Sequence, residues 1–171
     1  MMNMKKLFFT LVIAFAAILP ASAQKIGFID TDSVLNALPD YQAAVKKLDS
    51  QAEQYRNQLD ADLQVIEQIY NAYQNQKARL TTSQRTNVEN DIVSREQQLQ
   101  QKQESYFGTD GVMAKNSEKL LGPIRQRVEK AISQYAASNG YSVVFDLAVT
   151  GGVVYMKEAD EITGAIIKML K

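Results

Sequence analysis

DYQAAVKKLDSQAEQYRNQLDADLQVIEQIYNAYQNQKARLTTSQRTNVENDIVSREQQLQQKQESYF, from Asp40 to Phe107, contains neither glycine nor proline. Apolar residues seldom stand side by side in it, yet they return with a helical rhythm. Val45, Leu48, Ala52, Tyr55 and Leu59 step by three and four, and after a local stutter Leu63, Ile66, Tyr70 and Tyr73 carry the stripe on. This is the a/d spacing of a coiled coil. About 40 residues rising 1.5 Å each make a helix on the order of 60 Å long. A narrow stripe on an otherwise polar helix cannot close a compact core, so the segment is expected to be an arm.

The chain is best placed to turn at Leu80-Thr81-Thr82-Ser83-Gln84, where Thr81 with Gln84 fits a capping box and Ser83 is an alternative cap. The stripe resumes at Val88, Ile92, Arg95, Leu99, Lys102 and Tyr106, which predicts an antiparallel helical hairpin. Phe107-Gly108-Thr109-Asp110-Gly111 must interrupt the returning helix as a kink or a short loop. Helix is expected again from about Met113 to Ser138, with a second bend at Pro123 and a stop at Asn139-Gly140.

Strand material flanks the arm on both sides. KIGFID (Lys25 to Asp30) reads as a strand, and Thr31 or Asp32 can cap a brief helix that Pro39 interrupts. Tyr141 to Val149 is rich in β-formers, and Gly151-Gly152 suits a turn into Val153 to Met156, which predicts a β-hairpin. A last amphipathic helix starts at Asp160 or Thr163 and carries Ile162, Ala165, Ile166, Met169 and Leu170 on one side. The fold class is therefore α+β: a small body of three strands per chain, with a long helical-hairpin arm. Those strands are apolar on both faces, so a lone copy would expose edges and apolar surface. Several copies pooling strands into a closed barrel would remove the edges.

Residues 1–23 read as a secretory signal peptide. Met1 to Lys6 is basic, Leu7 to Leu19 is apolar, and Ala21-Ser22-Ala23 is a small-x-small site, with the cut expected after Ala23. The apolar run is shorter than the roughly 20 residues of a transmembrane helix. The expected division is leader 1–23, body 24–40 with 123–171, and arm 41–122. The chain has no cysteine, so disulfides do not support its thin core, and assembly is the usual substitute. Without Lys5 and Lys6, 17 of the 19 basic residues remain against 19 acidic ones, a balance that argues against nucleic acid as a partner.

No chemistry-bearing constellation emerges. Asp30 and Asp32 invite an acid–base reading, but the chain has no histidine or cysteine, and a strand end with a helix cap explains both carboxylates better. Asp146 reads as a structural hydrogen-bonding residue. Zinc and calcium ligand patterns are missing, and Gly151 to Lys157 lacks the second glycine of a phosphate loop. No enzyme, metal or cofactor is expected.

The start, KIGFIDTDSVLNALPDYQAAVKKL (Lys25 to Leu48), and the end, PIRQRVEKAISQYAASNGYSVVFD (Pro123 to Asp146) followed by the helix after ADEIT, resemble the Skp (OmpH-like) periplasmic chaperones. The likeness spans the chain after the leader, and the arm with Phe107-Gly108 and Gly111 is most similar to members from Bacteroidetes-type bacteria. It implies a periplasmic homotrimer whose barrel body carries three tentacles. Such a trimer holds unfolded outer-membrane proteins in a cavity and keeps them from aggregating without ATP. On that reading Ile26, Phe28, Val143, Phe145, Val153 and Tyr155 form the trimer interface. Tyr55, Ile66, Tyr70, Tyr73, Leu99 and Tyr106 contact clients, beside their role in packing the hairpin. Lys77, Arg79 and Arg85 cluster at the tip, either as a solvated turn or as a contact for client or membrane phosphates, including lipopolysaccharide. The better-known relatives are strongly basic and this chain is not. The competing expectation is a structural coiled-coil spacer or adaptor of the cell envelope, binding one folded partner.

Overall fold

The computed structural model describes residues 24–171; the expected leader and its cleavage site lie outside the described residues. Strand β1 (Lys25–Ile29) leads into helix α1 (Thr31–Asn36), then α2 (Pro39–Gln76). A 3-10 turn at Lys77–Arg79 precedes α3 (Thr82–Phe107), which is followed by α4 (Val112–Ser138), strand β2 (Tyr141–Asp146) and α5 (Thr163–Leu170).

Local chemistry explains the boundaries. Asp30, in extended conformation at the end of β1, caps α1 by accepting from the Ser33 backbone N–H. Thr31 and Asp32, the expected caps, lie one and two residues too late, inside the helix. Pro39 occupies the first turn of α2, where its missing N–H costs nothing. Thr81 caps α3 through the full capping box: its hydroxyl accepts from Gln84 N–H, and the Gln84 side chain accepts from Thr81 N–H at 2.9 Å. A short loop, not a kink, separates α3 from α4. A Cβ on Gly108 would stand 2.5 Å from the Glu104 carbonyl oxygen, and one on Gly111 would stand 2.9 Å from the Tyr106 carbonyl oxygen. Helix α4 continues through Pro123 and ends at Asn139, with Gly140 at φ 71°.

The sheet has two strands among the described residues, β1 and β2, and they run parallel. Ile26 pairs with Val143, Gly27 with Val144, Phe28 with Phe145 and Ile29 with Asp146. The expected third strand, and with it the β-hairpin, is not formed. After Asp146 the chain turns away: Ala148 N–H donates to the Asp146 carboxylate, and Thr150 N–H to its carbonyl. It returns to the opposite edge of β1, where Ile162 N–H donates to the Phe28 carbonyl at 2.8 Å. Val153 and Tyr155 therefore have no neighbouring strand among the described residues. Asp146 also accepts from Thr31 N–H (3.2 Å) and the Thr31 hydroxyl (2.6 Å), which locks the strand ends together.

The body's core gathers Ile29, Val34, Leu38, Ala44, Leu48, Leu121, Ile124, Val128, Ala131, Ile162 and Ile166. Val34 and Ile166 are fully buried, each contributing about 1.5–3 kcal/mol. On α5, Ile167 packs on this core, whereas Met169, placed on the apolar face by the sequence pattern, is half exposed.

Candidate client-holding surfaces of the arm and the body

Helices α2 and α3 lie antiparallel and make the arm. Its seam is a separate small cluster of Ile66, Tyr73 and Ile92, with Ile69, Leu80, Val88 and Leu99 packed around it. On α3, Val88, Ile92, Leu99, Lys102 and Tyr106 face α2 where the spacing put them, whereas Arg95 is exposed and pairs with Asp91 on its own helix. On α2 the heptad runs without a stutter through Ala52, Tyr55, Leu59, Asp62, Ile66, Ile69 and Tyr73. The apparent stutter arises because Asp62 occupies a seam position. Lys102 crosses from α3 to meet it, with Nζ to carboxylate at 2.6 Å. Asp62, by bonding the ammonium, raises the Lys102 pKa above its ordinary value. The signal was present in the sequence: Lys102 sits in the α3 seam and calls for an acid opposite.

With the seam so placed, Leu63 and Tyr70 lie beside it, 44% and 50% exposed. Ile69, which the sequence pattern passed over, is packed in. Of the six residues named as client contacts, Ile66 and Tyr73 are buried, Leu99 is half-buried, and only Tyr70 is well exposed. The Tyr73 hydroxyl donates to Glu89 across the hairpin, and that bond raises the phenol's pKa. Tyr55 and Tyr106 stack at 4.2 Å, with Phe107 edge-on to both rings, and the Tyr106 hydroxyl donates to Gln58. This aromatic group closes the arm near the α3–α4 loop. Val65 and Val93 are further half-exposed apolar residues along the shaft.

Two shallow hollows flank the seam. One, of about 370 Å³, is lined by Asp62, Val65, Arg95, Gln98 and Lys102 among others. The other, of about 450 Å³, is lined by Leu63, Ile66, Glu67, Tyr70, Asn71 and Glu96. At the tip, the structure uses two of the three basic residues internally. Arg85 Nε donates to the Leu80 carbonyl at 3.1 Å, and Lys77 lies over the Tyr73 ring. Arg79 is exposed.

The sheet has one covered and one open face. Gly27, Ile29 and Val144 face the helices, with Ile29 2% exposed. Ile26, Phe28, Val143 and Phe145 alternate onto the other side, where Phe28 and Phe145 stack at 6.0 Å. Ile26, Val143 and Phe145 are 41–44% exposed there, and no element among the described residues covers them. The segment after β2 adds Val153 at 36% and Tyr155 at 79%. The structure thus brings four of the six expected interface residues onto one apolar surface.

Comparison with known proteins gives a consistent picture. The family described as "Outer membrane protein (OmpH-like)" matches residues 25–170. "Chaperone protein Skp" of Yersinia enterocolitica is 26% identical over 165 residues, covering 95% of each chain. The protein of the same description from Photorhabdus laumondii is 26% identical over 150 residues, covering 88% of this chain and 87% of its own. An OmpH-like protein of known structure from Caulobacter crescentus superposes with a TM-score of 0.66 at 14% identity, over 87% of this chain and 85% of that one.

Proposed function

This chain belongs to the OmpH-like outer membrane protein family, and on that premise we propose that it is a periplasmic chaperone. It assembles as a homotrimer and, without ATP, holds unfolded outer-membrane proteins between its arms so that they do not aggregate. Relatives matched along almost their whole length are named chaperones, which supports the general reading. The observation that carries the specific one is the build of the arm. Its seam buries only a few side chains, while Leu63, Val65, Tyr70 and Val93 stay about half exposed along the shaft. Scattered apolar contacts of this kind, each small, suit a protein that must hold a chain and then release it.

The open sheet face supports assembly. Ile26, Phe28, Val143 and Phe145 on that face, together with Val153 and Tyr155 of the exposed segment after β2, form the interface in this reading. Joining copies covers the apolar face and closes the free edge of β2. Division into leader 1–23, body 24–40 with 123–171, and arm 41–122 follows the same logic. Binding is stoichiometric and needs no enzymatic step.

Affinity capture from a periplasmic extract supplemented with urea-unfolded outer-membrane proteins tests the reading. A varied set of unfolded β-barrel proteins on the bait is the expected result. Recovery of a single folded partner, with no unfolded client, would replace it with an envelope spacer.

A further inference from the structure

The two flanks of the arm carry different charge. On one, Arg95 and Lys102 border the hollow beside Val65, and both are paired, Arg95 with Asp91 at 2.9 Å and Lys102 with Asp62 at 2.6 Å. On the other, Glu67 and Glu96 border the hollow containing Leu63, Ile66 and Tyr70. Neither glutamate forms an ion pair among the described residues. Asp60, one turn before Leu63, adds a further carboxylate on the same side of α2. Leu63 and Tyr70 stand one heptad apart, so an extended or weakly helical segment lying along the hollow meets an apolar contact, a carboxylate and a second apolar contact in turn.

We propose that this flank selects unfolded client segments in which aromatic or aliphatic residues are interleaved with lysine or arginine. The inference rests on the chaperone reading and narrows its substrate class. Leu63 and Tyr70 supply the apolar contact, and Glu67 and Glu96 supply the charge match. An acidic client segment meets two unpaired carboxylates at the same hollow and is disfavoured. Exposed ion pairs are individually weak, so the charge acts as a bias on an apolar contact and is screened by salt.

The test uses the full chain from Gln24 and two short fluorescent peptides with one aromatic and aliphatic pattern, carrying lysine in one and glutamate in the other at the intervening positions. Anisotropy at low salt should show the lysine peptide binding about fivefold tighter, with the gap closing as salt rises. The double substitution Glu67→Gln with Glu96→Gln should abolish the preference between the two peptides. Equal binding of the two peptides, tighter binding of the glutamate peptide, or a preference unchanged in the double variant overturns the inference and leaves the chaperone reading standing. Failure of the unsubstituted chain to suppress aggregation of an unfolded client refutes the chaperone reading itself. Because the chain has no cysteine of its own, Tyr70→Cys also reports whether the hollow is open. Rapid maleimide labelling in the free protein is expected, whereas blocked labelling means that a second copy fills the site and the inference falls.

Discussion

Replacing Phe145 by glutamate attacks assembly without touching the core of the single chain. Phe145 stands on the outer face of the sheet, paired with Phe28 and opposite in direction to the buried Ile29. It is 41% exposed, and since a phenylalanine offers roughly 200 Å², on the order of 80 Å² remains to be covered. At about 25 cal/mol per Å² that area contributes about 2 kcal/mol per copy to assembly. The glutamate loses this and adds the desolvation of an unpaired carboxylate, a further cost of several kcal/mol. A total near 5 kcal/mol per copy weakens association more than a thousandfold for each interface affected. In sedimentation velocity at micromolar concentration, the unsubstituted chain should run at three times the mass of one chain and Phe145→Glu at the mass of one. Phe145→Leu should keep the trimer. Far-UV circular dichroism should keep its helical signal, because α4, α5 and β1 still enclose Ile29, Ile162 and Ile166. A Phe145→Glu protein that stays trimeric refutes the interface, and a monomeric unsubstituted chain refutes the assembly.

Three further outcomes follow from the arm and the caps. Ile66→Ala should cost about 2–3 kcal/mol, the low end for such truncations because a two-helix arm can partly close over the gap; hydrogen exchange should quicken in peptides around Ile66 and Ile92 but not around Val128, and uniform quickening would contradict separate arm and body clusters. Replacing Asp62 and Lys102 together by leucine should raise the arm's melting temperature by completing an apolar seam, whereas Asp62→Leu alone should lower it by stranding Lys102; equal melting of all three proteins would mean the pair has no part in the seam. Asp30→Ala should destabilise the body by about 1 kcal/mol near neutral pH. The Ser33 hydroxyl and backbone N–H hold the Asp30 carboxyl below its ordinary value of 3.8, so its contribution is present above that pH and is lost as the pH falls through the lower folded value. Denaturant melts of the two proteins should therefore converge on acidification, and a constant gap would count against the cap.

The α3 seam was legible at five of the six positions from Val88 to Tyr106, because they hold strict spacing; Arg95 has the spacing but its charge keeps it exposed, paired with Asp91. On α2, apolar Leu63 and Tyr70 stand next to the true seam positions Asp62 and Ile69, and the pattern is drawn off by one residue. Only the cross-hairpin bond from Lys102 reveals that a half-exposed charged residue takes a seam position. The capping box at Thr81 could be read directly, since both partners lie three residues apart. The cap of α1 was misplaced because Asp30, Thr31 and Asp32 are all chemically suitable, and backbone conformation selects among them. The pairing of β1 with the strand after Gly140 was visible from the out-and-back arm, but the β-rich residues around Gly151-Gly152 suggested a hairpin. The Asp146 turn sends that segment elsewhere, so strand propensity there has no partner among the described residues. For the candidate surfaces, composition located the apolar residues of β1 and β2, and burial sorted the arm residues that pack the seam from those that remain available.

The most direct measurement is light scattering while a urea-unfolded β-barrel outer-membrane protein is diluted into buffer holding the purified chain from Gln24 and no nucleotide. The account predicts that scattering is suppressed, reaching its limit near one trimer per client, and that Phe145→Glu loses most of this effect. Scattering equal to that of the client alone, at any ratio of the two proteins, would contradict it.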